Sequence, residues 1–158
     1  MSILRFGHIG ICVSDMETSV AFYRGLLGFR RLSSVNVSGD DADKLLRLKG
    51  IDQETVFLER DNVRLALFAF RHPKPVGDGR PRAMNELGMA ALMLRVDDLE
   101  ATLTAMRAAG VEVLEETRSD HPAYGSKLIF VTDPDGTLIE FIEIPGDPYP
   151  PFGTPLDP

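Results

Sequence analysis

The sequence predicts an α+β fold built from two tandem β-α-β-β-β modules. Two stretches announce the duplication. "FGHIGICVSDMETS" (residues 6–19) and "GMAALMLRVDDLEA" (residues 88–101) superimpose at a constant separation of 83, with Val13 over Val96, Asp15 over Asp98 and Glu17 over Glu100. In each half the apolar pattern changes from strand-like alternation to a helical stripe and back to alternation, as one repeated supersecondary unit would. The composition, 44% hydrophobic and 26% charged over 158 residues, suits one packed globular domain rather than a disordered chain.

The elements follow in order. "HIGICV" is a strand with Ile9, Ile11 and Val13 on one face and His8, Gly10 and Cys12 on the other. Ser14 or Asp15 caps a helix whose stripe is Met16, Val20, Tyr23 and Leu27, and Gly28 closes it. "RRLSSVNVS" is a strand, and "GDDADKLLRLKG" a short helix, either a surface helix or a lid. "ETVFLER", the turn "DN" and "VRLALFAF" form a hairpin. The first module spans residues 1–72, and the Pro- and Gly-rich residues 73–87 form a linker. The second module, 88–145, repeats the order: strand "MAALMLRV", helix "DDLEATLTAMRAAG", strand "VEVLEETR", strand "KLIFVTD", turn "PDG" and strand "TLIEFIEI". Residues 146–158 read as a Pro-rich, extended C-terminal arm.

Charge and composition exclude some roles. A net charge of −7 argues against nucleic acid, whose phosphates need a basic face. No apolar run reaches membrane-spanning length, and nothing resembles a signal peptide. The lone Cys12 fits a reducing compartment. A cytoplasmic protein is expected, with no membrane partner.

This plan resembles the vicinal oxygen chelate superfamily, which includes glyoxalase I, fosfomycin-resistance enzymes, extradiol dioxygenases, methylmalonyl-CoA epimerase and bleomycin-resistance proteins. "HIGICVSDMETSVAFYRGLLGF" and "DPDGTLIEFIE" carry the resemblance. It implies a cup-shaped mixed sheet with helices outside and a divalent metal held by the first and last strands of each module. The corresponding positions here are His8, Ala66, Ala91 and Glu140, the last-strand pair aligning at a separation of 74. Two of four ligands remain, so the site reads as degenerate. Either no cofactor is required, or a divalent metal (Zn, Ni, Mn, Mg or Fe) is held weakly by His8 and Glu140.

Individual residues sharpen this. His8 is a surviving ligand, a general base or a hydrogen-bonded core histidine. Glu140 interrupts an apolar strand on the face of Leu138 and Ile142, where an unpaired carboxylate is costly to bury. A His8–Glu140 dyad would move protons without metal. Glu143 reads as solvated. Phe68, Met93 and Leu138 suggest an apolar or aromatic ligand, while Phe70 reads as core and Cys12 as packing. Arg64 and Arg95 stand at strand ends, able to meet an anion or simply solvated. "RSDHPAYGSK" (118–127) reads as a loop, with His121 and Tyr124 as substrate contacts or exposed loop residues. The expected function is a lyase or isomerase acting on a small molecule. The alternatives are a non-catalytic drug-sequestering binder and an extradiol-dioxygenase-like metalloenzyme. A homodimer is expected.

Overall fold

The computed structural model describes residues 2–146; the expected C-terminal arm lies outside the described residues. The chain divides into two compact units, Met1–Arg80 and Pro81–Pro158. Each holds one four-stranded mixed sheet with helices on one face.

In the first unit, β1 (Ile9–Val13) leads into α1 (Met16–Val20). Asp15 caps α1 by accepting from the Thr18 backbone N–H at 2.8 Å, which satisfies one of the helix's orphan donors. The expected uniform α-helix is corrected here: residues Ala21–Leu26 form a wider π-helical turn. The Leu27 N–H reaches the Phe22 carbonyl five residues back. This extra residue lets both Phe22 and Tyr23 turn inward, at 5% and 0% exposure, edge-to-face at 5.2 Å. Gly28 then takes the left-handed φ of 71° that ends the helix.

β2 (Arg30–Ser38), α2 (Asp40–Leu46), β3 (Asp52–Arg60) and β4 (Val63–His72) follow. Asp43 of α2 accepts from the backbone N–H groups of Gly50 and Ile51 at 2.7 and 2.8 Å, tying the short helix to the start of β3. The β3–β4 hairpin turns at Asp61 and Asn62, both at positive φ (52° and 64°). Those are the angles a two-residue hairpin with right-handed strand twist demands, and Asp and Asn tolerate them. Strand order is β1-β4-β3-β2, with β1 parallel to β4 and the other pairs antiparallel. The helix-side face is sealed: Val13, Val56, Leu58, Leu65 and Leu67 are all nearly inaccessible.

The second unit repeats the topology with β5 (Leu92–Val96), α3 (Leu99–Ala108), β6 (Val113–His121), β7 (Ser126–Thr132) and β8 (Leu138–Glu143), ordered β5-β8-β7-β6. Asp98 caps α3 through the Ala101 N–H at 2.8 Å, the same device as Asp15 at the aligned position. Leu99, Leu103 and Met106 of α3 are buried, as are Ile129, Val131, Ile139 and Phe141 from the sheet face that matches theirs in apolar character. A bulge interrupts β6 between Leu114 and Ser119. Thr117 closes it by donating to the Leu114 carbonyl and accepting from the Phe130 N–H.

The two sheets share one register. Ile9 pairs with Leu65 and Leu92 with Ile139, the separations of 83 and 74 read from sequence. Two placements differ from expectation. Residues 118–127 are not a loop: β6 runs to His121 and β7 starts at Ser126, leaving a turn of four residues. The polar composition is that of an exposed hairpin, whose ladder needs no apolar side chains. The strand read as "MAALMLRV" begins only at Leu92, so Ala91, like His8, sits just ahead of its strand. Among the described residues no helix is long and apolar enough to cross a membrane.

The caps provide a direct stability test. Asp98→Ala should cost about 1 kcal/mol through the lost cap, lowering the melting temperature by about 2–4 °C for a chain of this size. Thermal unfolding followed by circular dichroism measures it.

Candidate functional site

Strand parity sorts each sheet into a sealed face and an open one, and the sequence-derived candidates occupy the open faces. In the first unit that face carries Gly10 beside Ala66 and Phe57, and Cys12 beside Phe68 and Thr55, partners read from the register. The exposed His8 precedes β1, and its ring stands edge-on to Phe57 at 5.3 Å. His8, Phe57 and Ala66 therefore belong to one neighbourhood. Ala66 is fully buried, and Phe68 leans so far over Gly10 that a Cβ there would collide with its ring. This is why a glycine stands in the middle of β1. Arg64 is exposed on the same face, Phe68 and Phe70 are half-buried, and Cys12 is exposed rather than packed. Edge strands such as β1 leave outward side chains uncovered, which explains the exposure of Cys12; Phe70 lies on β4 beyond the last β1 pair, Val13–Ala69.

Two further residues on this face escaped the sequence reading. Gln53 and Thr55 are buried at 3% exposure each, with Gln53 Nε2 donating to Thr55 Oγ1 at 3.0 Å. Both lie in the polar run "DQET" that opens β3, where Asp52 and Glu54 stand beside them, so no alternation separates the buried pair from its charged neighbours.

In the second unit the register places Met93 directly beside Glu140, and Glu140 beside Phe130. Leu138 and Ile142 flank it along β8. Partial burial among these apolar neighbours pushes the Glu140 carboxyl above its ordinary range. Among the described residues no hydrogen bond or ion pair reaches it. Met93 is 61% exposed. Tyr124, in the β6–β7 turn, is exposed, while His121 ends β6 and pairs with Ser126.

Glu143, three residues on, points to the other face and is not simply solvated. Its Oε2 accepts from the Leu99 N–H at 2.8 Å, at the start of α3, and its Oε1 pairs with Lys127 at 2.9 Å. The α3 backbone donor and Lys127 hold its carboxyl below the ordinary range. No local pattern reveals this, because both partners come from other elements.

The metal positions can be tested on this donor set. Ala66 and Ala91 carry no ligating atom, and among the described residues no three His, Cys, Asp or Glu side chains gather as a metal cage. Catalytic metal sites commonly use three protein ligands, and the aligned positions offer one donor in each unit, His8 in the first and Glu140 in the second.

Two modules with parallel first and last strands define a class, and the family model agrees. Residues 5–141 match the Glyoxalase/Bleomycin resistance protein/Dioxygenase superfamily, and the chain belongs to it. It is 30% identical to lactoylglutathione lyase of Haemophilus influenzae over 86% of this chain and 90% of that one. It is 26% identical to ethylmalonyl-CoA/methylmalonyl-CoA epimerase of Cereibacter sphaeroides over 89% of this chain and 98% of that one. A glyoxalase family protein from Bacillus cereus, 22% identical, shares the fold with a TM-score of 0.79 across 92% of this chain and 97% of that one.

Glu140 and Glu143 should show opposite responses to pH. The Glu140 carboxyl binds its proton more tightly folded than unfolded, so wild-type stability falls as pH rises from the unfolded value, near 4.5, through the folded one. Glu140→Gln should therefore raise the melting temperature at pH 7, with the gain fading towards pH 4. Glu143 contributes stability above that same unfolded value and loses it as pH falls through its lowered folded value. Glu143→Gln should lower the melting temperature at pH 7 and converge on wild type in acid. Melting curves of the three proteins across pH 4–8 measure both.

Proposed function

We propose that this chain is a lyase or isomerase of the superfamily, acting on a largely apolar or aromatic small molecule with little dependence on metal. Glu140 carries this reading. A carboxyl half-buried among Met93, Phe130 and Leu138, with its proton affinity raised, suits general acid–base work near neutral pH. His8, ahead of the first strand of the first module, is the second proton-transferring group. Both would act on a carbon acid beside a carbonyl, taking a proton from one position and returning it at another or expelling a leaving group. The lyase and epimerase among the relatives support that chemical class. Phe68, Met93 and Leu138 supply apolar contact, with Arg64, His121 and Tyr124 as polar contacts for substrate. The reading includes a cytoplasmic, homodimeric protein with neither nucleic-acid nor membrane partners.

A second reading, a binder that sequesters an apolar compound without turning it over, is favoured by the exposed Met93 and the half-buried Phe68. An extradiol-dioxygenase-like metalloenzyme would need two His and one carboxylate, and Ala91 stands where the second His belongs.

The experiment is a turnover screen of 2-oxo-thioester and hemithioacetal substrates followed by variants. His8→Ala and Glu140→Gln should each reduce kcat by at least about a hundredfold, as loss of an acid–base group does, with the fold intact. A binder would instead show ligand uptake and no product in any variant. Treatment with EDTA should leave activity unchanged, and activity lost and then restored by one added ion would overturn the metal-independent part of the reading.

A further inference from the structure

The open face of the second sheet carries a second polar centre. Arg95 pairs with Ile142, Ile142 with Leu128, and Leu128 with Ser119, forming one row across all four strands. The neighbouring row is Met93, Glu140, Phe130 and Leu114. His121 pairs with Ser126, two residues from Leu128, so it shares the face with Ser119 and Glu140. The Ser119 hydroxyl and His121 Nε2 are 3.0 Å apart. Strand and residue spacings put Ser119 roughly 12 Å from Glu140. Between them lie Leu128, Phe130 and Ile142, all half-buried. Arg95 is exposed at the other end of the Ser119 row, its guanidinium donating to the Ile144 carbonyl at 2.8 Å.

We propose that Ser119 and His121 form a carboxylate-recognising subsite, so that this face takes apolar acids whose body lies over Leu128, Phe130 and Ile142. The proposal rests on reading the Glu140 face as the substrate face, and it adds the class of head group. In the imidazolium form Nε2–H of His121 donates to Ser119 Oγ, and the serine O–H and the histidine Nδ1–H then both remain as donors. Two donors on adjacent side chains match the two oxygens of a carboxylate, a charge-assisted pairing stronger than that to a neutral group. Arg95 adds positive charge on the same face. A nucleophilic Ser–His pair would need a third group to orient the imidazole. Among the described residues no carboxylate hydrogen-bonds His121, and recognition is the role that the pair's geometry supports.

The test compares two probes with one body and different heads, 4-phenylbutyrate and 4-phenylbutan-1-ol, by calorimetry and amide chemical-shift titration. The parent should bind the acid more tightly, with shifts at Leu128, Ile142 and Ser119. Ser119→Ala and His121→Ala should each weaken the acid by about tenfold, as lost hydrogen bonds to a charged group do, and leave the alcohol unchanged. Both side chains are on an outer strand, and unchanged amide spectra of the free variants verify the fold. Equal affinity of the variants for the acid, preference for the alcohol, or no binding of the acid at millimolar concentration overturns the proposal. Because no turnover is measured, the outcome is separable from the catalytic reading. His8→Ala and Glu140→Gln variants that keep full turnover and acid selectivity would sink only the catalytic reading.

Discussion

Each half of this protein depends on a parallel pairing between a short edge strand and the last strand of the module. β1 lies beside β4, and β5 beside β8. Parallel neighbours cannot be joined by a tight turn and need a crossover; the helix, the far-edge strand and the hairpin supply it in each unit. The pairing then decides which side chains stand together. Gly10 meets Ala66 and Met93 meets Glu140, and a slip of one residue would send Glu140 to the sealed face, where Ile139 and Phe141 are buried.

That constraint explains how duplicated halves came to differ at their open faces. In the first unit the centre of the face is closed, with a fully buried Ala66 and a phenyl ring lying over Gly10. In the second the equivalent centre is Met93 and Glu140, exposed and half-buried respectively. The same backbone therefore offers an apolar, ring-filled surface in one module and a carboxyl with raised proton affinity in the other. A symmetric four-ligand arrangement has no donors at Ala66 and Ala91 to draw on.

β8 also shows how neighbouring positions on one strand acquire opposite electrostatic fates. Glu140 faces apolar side chains and resists ionisation; Glu143 faces the start of α3 and Lys127, and ionises readily. The first arrangement opposes stability at neutral pH and suits chemistry. The second fastens helix to sheet. On the proposed reading, the first carboxyl is the acid–base group and the second a structural one.

The duplication, the Asp15 and Asp98 caps, the hairpin turn at Asp61 and Asn62 and the face assignment of Glu140 were all legible in the sequence. Each depends on local periodicity or on backbone angles that a single residue type tolerates. His8, Ala66, Ala91 and Glu140 could be aligned between modules for the same reason, since a repeated register preserves spacing. The tertiary structure alone decided the Glu143 contacts with Leu99 and Lys127, the burial of Gln53 and Thr55, the π-helical turn that brings Phe22 and Tyr23 inward together, and the pairing of Ser119 with His121 on the Glu140 face. Those depend on partners distant in sequence or on one extra residue in a turn or bulge. A bulge changes side-chain parity without leaving a mark in the pattern, and so only the end of β6, from Arg118 to His121, reads as a loop in the sequence.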